Sequence, residues 1–495
     1  MNDKATQKAA EGAAQVIEEG LLDSIITRTK SARGDDEKKR TRDLIGEFVD
    51  QAVEGTFSTK KHIVTAIEDR IAALDEAISG QLNAVMHAAE FQKLESTWRG
   101  LNYLVMQSET GTGLKIRAFN ATKKELTKDF KSSPEFDQST LFKKVYGEEY
   151  DQFGGAPYSA LIGDYEFGRH PEDMYLLEEI SHVAASAHAP FLSAASPEMF
   201  GWDSFTELSG PRDLAKLFET AEYTKWRSFR NSEDSRYVGL CLPHVLGRLP
   251  YGQANIPVES FNFEEDVSGK EHNKYLWMNA AYTLGTRLTE AAAKYGWCAA
   301  IRGVEGGGLV QGLPTHTFQT DEGEVALKCP TELAIGDRRE KELADLGLIP
   351  LVHCKGTDYA AFFSTQSANK AKAYDTDAAN SNARLSSQLQ YIMAVSRFAH
   401  YLKSMMRDKI GSFTTRQETQ DFLNRWIHNY VTEDDNASFA TKAQYPLRDA
   451  RVDVTEVPGK PGVYRAVAFM RPHFQLDELT ISMRLVADLP PSAAA

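Results

Sequence analysis

The stretch YSALIGDYEFGRHPEDMYLLEEISHVAASAHAPFLSAAS, Tyr158 to Ser196, reads as strand, helix, strand. YSALIGDYEF is strand-like. Pro171 then suits the first helical position, and Glu172 with Asp173 favours the positive end of the helix dipole. Met174, Leu177, Ile180, Val183 and Ala187 form an apolar stripe at helical spacing, and APFLSAAS resembles a short buried strand. The same alternation runs on. SGPRDLAKLFE opens another helix at Pro211, while RYVGLCLP, WCAAIRGVE and LIPLVHC are strand candidates. Helices are expected near Lys274–Lys294 and Asp337–Leu346. This alternation predicts an α/β, mixed α+β, layer structure with helices against a sheet.

Outward from that core, the N-terminal side is helical. Ile63, Ile67, Ile71, Leu74 and Ile78 recur every three or four residues, and Gly80 marks a break before a second helix. LKIRAFNA, from Leu114, reads as a strand. Residues 1–60 form a polar arm with the charge run RGDDEKKR and one apolar patch, Leu21, Leu22, Ile25 and Ile26. That patch is either a weak turn resting on its own domain or a segment that orders on a partner. On the C-terminal side a long helix is expected from about Ala378 to Ile410. A second, TTRQETQDFLNRWIHNYV, has Thr414 or Thr415 as N-cap and Glu418 placed for a capping box. The chain finishes on a β-ribbon, Val463 to Pro490, with Leu479, Ile481, Met483 and Leu485 on one face. The expected division is 1–60, 61–155, 156–375 and 376–495.

Composition narrows the function classes. The 495 residues are 42% hydrophobic and 25% charged, ordinary for a globular protein, and imply more than one packed unit. A net charge of −14 argues against a phosphate-backbone binder. The start, MNDKATQKAAEGAAQ, has no apolar h-region, and no apolar run reaches membrane-spanning length. Cys241, Cys298, Cys329 and Cys354 are scattered without metal-ligand spacing, which fits a reduced, cytoplasmic protein.

The search for chemistry finds little. GVEGGGLVQGLP, Gly303 to Pro314, is glycine-rich, but Leu313 and Pro314 follow Gly312 where a P-loop needs Lys and Ser or Thr, and Gln311 replaces the third glycine of a dinucleotide loop. A structural turn is the simpler reading. His170, His182 and His188 lie near carboxylates at spacings that no zinc motif uses, and capping or core roles account for them. KWRSFRNSEDSRY, Lys225 to Tyr237, reads either as an interface patch or as a solvated helix face. No catalytic residue, metal or cofactor is assigned. Between Arg384 and Tyr430 seven basic residues, among them Lys403, Arg407, Lys409, Arg416 and Arg425, face only Asp408, Glu418 and Asp421. That basic face suggests an acidic partner surface.

LESTWRGLNYLV, LIGDYEFGRHPEDMYLLEEIS, SHVAASAHAPFLSAASPEMFG, YVGLCLPHVLGRLPYG and CPTELAIGDRREKELADLGLIPLVHCKGTDYAAFF occur in order. Together they resemble the large sheath subunit of the bacterial type VI secretion system, the family called TssC, VipB, ImpC or EvpB. The resemblance implies a contractile-tail-sheath-like subunit without catalysis. It would pair with a small sheath subunit (TssB or VipA) and polymerise around an inner tube of Hcp. The tube would grow from a baseplate, and a ClpV-type AAA+ ATPase would dismantle the contracted form, chiefly through the small subunit. It further implies extended N- and C-terminal arms forming intermolecular β-sheet, here through Leu21, Leu22, Ile25 and Ile26 and through Val467, Phe469, Leu479, Ile481, Met483 and Leu485. Lys403, Arg407, Lys409, Arg416 and Arg425 would then face the inner tube. Two alternatives stay open: an α/β enzyme with a cleft near Gly303–Gly312, and a monomeric scaffold.

Overall fold

Residues divide into two compact units, 1–85 with 251–265, and 86–250 with 266–495. The structure, a computed structural model, describes residues 35–53, 63–211, 213–259, 261–269, 271–320, 322–412, 415–458 and 463–475. Helices of eight or more residues are numbered here. In the first unit lie α1 (Asp35–Val53) and α2 (Ile63–Met86). The periodicity of α2 predicted a helix with a break at Gly80. The helix forms, but Ile67, Ile71, Leu74 and Ile78 are 41–53% exposed. Segment 251–265 closes on itself through Glu265 N to Tyr251 O, 2.9 Å, and Tyr251 N to the Glu265 carboxylate, 2.8 Å.

The second unit begins with α3 (Ala89–Met106) and α4 (Lys123–Ser132), the latter opened by a Thr122/Glu125 capping box. A π-helix follows at Lys143–Asp151. Then comes the strand–helix–strand that the opening stretch predicts: β1 (Leu161–Phe167), α5 (Pro171–Ala187) and β2 (Phe191–Ala195). The strands are parallel, with Leu161 opposite Phe191 and Ile162 opposite Leu192. Next are α6 (Thr224–Asn231), β3 (Val238–Leu242), β4 (Val245–Leu246), β5 (Trp277–Met278) and α7 (Ala281–Tyr295). They lead to β6 (Leu309–Val310), β7 (Thr317–Gln319), β8 (Val325–Leu327), α8 (Asp337–Asp345), β9 (Ile349–His353) and β10 (Ala360–Phe362). The central sheet has the order β1-β2-β3-β9-β10-β6, with β1, β2, β3 and β9 parallel and β10 and β6 antiparallel additions.

Alternation on β3 shows how the sheet is sandwiched. Val238, Leu240 and Leu242 pack with Leu177, Ile180 and Val183 of α5 on one side. Cys241, Leu192 and Ile349 pack with Ala281, Leu284 and Leu288 of α7 on the other. A Cβ on Gly285 would stand 2.6 Å from Ile162 Cδ1 and 3.0 Å from Leu104 Cδ1, so a larger residue there would push those side-chain ends aside where α7 packs on β1 and α3.

The final segment contains α9 (Asp377–Leu385), α10 (Leu389–Asp408), α11 (Arg416–His428), β11 (Leu447–Glu456) and β12 (Tyr464–Pro472). Its core joins Trp297 and Phe398, with stacked rings 4.0 Å apart, to Leu423, Ile427, Leu447, Val452 and Val454.

Gly80 does not break α2, which runs from Ile63 to Met86, and four further sequence expectations change. The helix expected from Ala378 to Ile410 breaks at Ser386–Gln388, because Ser387 O accepts from Ser367 N and Leu389 N donates to Thr365 O. Tertiary hydrogen bonds there outcompete helical ones. WCAAIRGVE is not a strand, since the glycines after it fold it into a turn with Ile301 buried. In KWRSFRNSEDSRY, Trp226 and Phe229 are core residues, and Arg230 is buried with Nε on Ala368 O, 3.0 Å, so neither an interface patch nor a solvated face describes it. LKIRAFNA forms no strand and is unpaired among the described residues. Thr415 does cap α11, with Glu418 completing the box.

Candidate assembly interfaces

The terminal hairpin is the first candidate. β12 pairs antiparallel with β11 from Leu447↔Pro472 to Glu456↔Tyr464, so an upstream strand of the same chain completes the first half of the ribbon. Leu479, Ile481, Met483 and Leu485, like Leu21, Leu22, Ile25 and Ile26, lie outside the described residues. Val467 and Phe469 are 42% and 52% exposed, and the Arg451 guanidinium sits 5.0 Å from the Phe469 ring centre.

The two edges of this hairpin differ. On β11 the Asn424 amide of α11 donates to Val452 O and accepts from Val452 N, both at 2.8 Å. Gln420 accepts from Val454 N at 3.1 Å, and Arg416 donates to Val454 O at 3.3 Å. Side chains of α11 thus stand in for a neighbouring strand. Since Val452 turns its main chain toward α11, its partner Ala468 turns away from β11, and so do Ala466 and Met470 two residues either side. Among the described residues no main-chain group bonds to that outer edge of β12. It is an uncovered row of donors and acceptors.

The basic side chains are only partly free. Lys403 Nζ lies 3.0 Å from Asp151 Oδ1 and 3.7 Å from the Tyr150 ring centre. Arg407 donates to Gln152 O at 3.0 Å and Tyr150 O at 3.2 Å, so this pair clamps the end of the π-helix. Burial beside neighbouring tyrosines raises the Tyr150 hydroxyl to about 12. Lys409 Nζ is 4.5 Å from the Phe422 ring centre, while Arg416 and Arg425 are exposed.

Around the glycine-rich loop the main-chain donors are used internally. Gly303 N bonds Phe362 O, Gly308 N bonds Gly303 O, and Phe362 N bonds Gly308 O. A Cβ on Gly308 would stand 2.6 Å from Phe362 O, which ties the loop to β10. His182 Nδ1 lies 2.7 Å from Asp234, and His188 adopts the left-handed C-cap of α5 at φ 50°. His400 Nε2 bonds Ala187 O at 2.8 Å, and burial outweighs that bond, lowering its imidazole to about 4.

One polar cluster escaped the sequence search. His244 Nδ1 bonds Glu332 Oε2 at 2.5 Å and His244 Nε2 bonds Glu166 Oε1 at 2.9 Å. His272 Nε2 reaches the other Glu332 oxygen at 3.0 Å, and that oxygen also accepts from Ser204 Oγ at 3.0 Å and Phe205 N at 3.3 Å. Its members come from β1, the end of β3 and two loops. No local spacing could have joined them. Among the described residues no group of His, Cys, Asp and Glu side chains has metal-holding geometry, and no helix is long and apolar enough to cross a membrane.

Residues 68–369 match the family model described as EvpB/VC_A0108, tail sheath N-terminal domain, and residues 378–489 match EvpB/VC_A0108, tail sheath gpW/gp25-like domain. The chain belongs to the EvpB tail-sheath family. It is 48% identical over 498 residues to the type VI secretion system sheath protein TssC1 of Pseudomonas aeruginosa PAO1, with 100% of both chains covered. Among solved structures it is similar to a chain of the anti-feeding prophage baseplate, with a TM-score of 0.35, 8% identity, and 63% of this chain and 66% of that one covered. A chain of the contracted PVC sheath complex, an extracellular contractile injection system, gives a TM-score of 0.34 at 7% identity, covering 62% and 68%. As a tail-sheath protein its role is structural.

Proposed function

We propose that this chain is the large structural subunit of a type VI secretion sheath, acting in the cytoplasm. It pairs with a small sheath subunit, and the heterodimers polymerise into a helical tube around Hcp that grows from a baseplate. Contraction is a switch between two packings of the same subunits, so the work comes from interface burial, and catalysis in this chain is not required. A ClpV-type ATPase recycles the contracted sheath, mainly through the small subunit.

The observation that carries this reading is the uncovered outer edge of β12. An unpaired edge on a strand whose partner β11 is capped on its far side recruits a strand from outside. We assign that role to arms of neighbouring subunits, the segment carrying Leu479, Ile481, Met483 and Leu485 and the patch Leu21, Leu22, Ile25 and Ile26. Val467 and Phe469 stand on the hairpin face beside that edge. Each ladder bond nets about 1 kcal/mol, but the exchange repeats at every subunit. The basic residues Lys403, Arg407, Lys409, Arg416 and Arg425 are assigned to the inner-tube side, where exposed charge pairs hold weakly enough to release. Exposed Arg425 is the informative position, because Lys403, Arg407 and Arg416 also brace their own chain.

Negative-stain microscopy of the chain co-expressed with its small subunit tests the reading. Truncation after Gln475 spares β12. Long tubules from the full-length pair, lost on truncation, are expected. Surviving tubules would keep the sheath and discard strand exchange, while discrete particles from the full-length pair would discard both.

A further inference from the structure

The central sheet ends at β1, and its outer edge opens into a groove of about 2840 Å³. That is well beyond the ~300–1,000 Å³ of small-molecule pockets. Leu161 N donates to Pro190 O on the β2 side, so alternation turns the main-chain groups of Ile162 and Asp164 outward into the groove. Across the groove lies Leu114–Ala121, the LKIRAFNA segment. Its sequence alternates as a strand, but it lies in no helix or strand, and among the described residues the main chain from Lys115 to Asn120 makes no hydrogen bond. All of these residues but half-buried Ile116 are exposed, so their main-chain groups are open to solvent and to an incoming strand.

The two edges do not pair with each other. Ladder strands sit about 4.8 Å apart, but here only side chains span the gap. Arg117 reaches Tyr158 Oη at 3.3 Å, Tyr165 Oη reaches Ala121 O at 2.6 Å, and Lys123 Nζ reaches Glu166 O at 2.7 Å. The groove also carries apolar surface, with Leu94, Trp98 and Phe119 at 55–64% exposure. Lys115, Lys124, Lys128 and Lys144 line it, all exposed and none in an ion pair among the described residues.

We propose that this groove is a strand slot, and that an extended segment of the small subunit fills it, pairing with Leu114–Ala121 and with the outer edge of β1 so that the partner continues the central sheet. The segment has apolar residues on one face, to cover Leu94, Trp98 and Phe119, and acidic side chains on the flank facing the four lysines. This assignment rests on the heterodimer proposed above and is separate from the arm exchange at β12.

Hydrogen–deuterium exchange on the chain alone and in the purified heterodimer tests it. Amides of Ile116–Asn120 are expected to exchange fast in the free chain and about a hundredfold more slowly in the complex. Ile116→Pro and Ala118→Pro each remove a main-chain donor that makes no hydrogen bond among the described residues. They are expected to leave the free chain's melting temperature unchanged and to weaken the heterodimer by about tenfold per ladder bond lost. A stable heterodimer in which Ile116–Asn120 still exchanges fast, or which tolerates both prolines, overturns the slot and leaves the heterodimer standing. Slow exchange in the chain alone overturns it in favour of pairing within or between copies of this chain. Failure to form any heterodimer overturns both.

Discussion

His244 is held between two carboxylates, and its titration follows. Burial opposes its charge, but the hydrogen bonds it donates to Glu166 and Glu332 and their negative charge win, raising the imidazolium to about 10. Glu332 is 4% exposed at its side chain; burial favours its neutral form, yet His244 and His272 hold it well below the usual carboxylate range. The His244 contribution to stability is fully present below an unfolded pKa of about 6.5 and fades as pH climbs through about 10. That of Glu332 is present above about pH 4.3 and fades as pH falls. Removing one partner of a buried pair leaves the other charge uncompensated. His244→Ala is therefore expected to cost about 3 kcal/mol in denaturant unfolding near pH 6. The deficit should shrink as pH approaches 10, and a pH-independent deficit would assign His244 to packing alone.

Among the elements, the clamp of α11 on β11 carries a sharp expectation. Asn424 satisfies both main-chain groups of Val452, and its side chain is not replaceable by water without loosening the third core. Asn424→Ala is expected to destabilise the C-terminal region by about 1–3 kcal/mol, read as faster amide exchange in β11 with the central sheet unchanged. Uniform loosening of both regions would show that the hairpin and the sheet unfold together. The capping box at Thr415 was legible because it is written in four consecutive residues. The break between α9 and α10 was not, because hydrogen bonds from Thr365 and Ser367 decide it, about twenty residues upstream.

For the whole molecule, the exposed stripe of α2 is decisive. A helix with Ile67, Ile71, Leu74 and Ile78 at helical spacing normally buries that face in its own core. Here the face is open. Ile71→Glu with Leu74→Glu is expected to leave the circular dichroism and melting temperature of the free chain unchanged while reducing its self-association and abolishing co-purification of the small subunit. Undiminished co-purification would move that contact away from α2. The pattern of α2 was readable as a helix with an apolar side, but burial depends on what lies opposite. Nothing within the helix encodes that.

The sequence by itself determined the strand–helix–strand at Tyr158–Ser196, the helix starts at Pro171 and at Thr414 or Thr415, and the family, since these are written in contiguous residues. The tertiary structure alone decided that Trp226 is core, that His244 joins Glu166 to Glu332, and that among the described residues LKIRAFNA and the outer edge of β12 form no ladder. Periodicity specifies a strand or a face through contacts a few residues apart. Whether an edge is paired or a face covered depends on residues brought together only by folding.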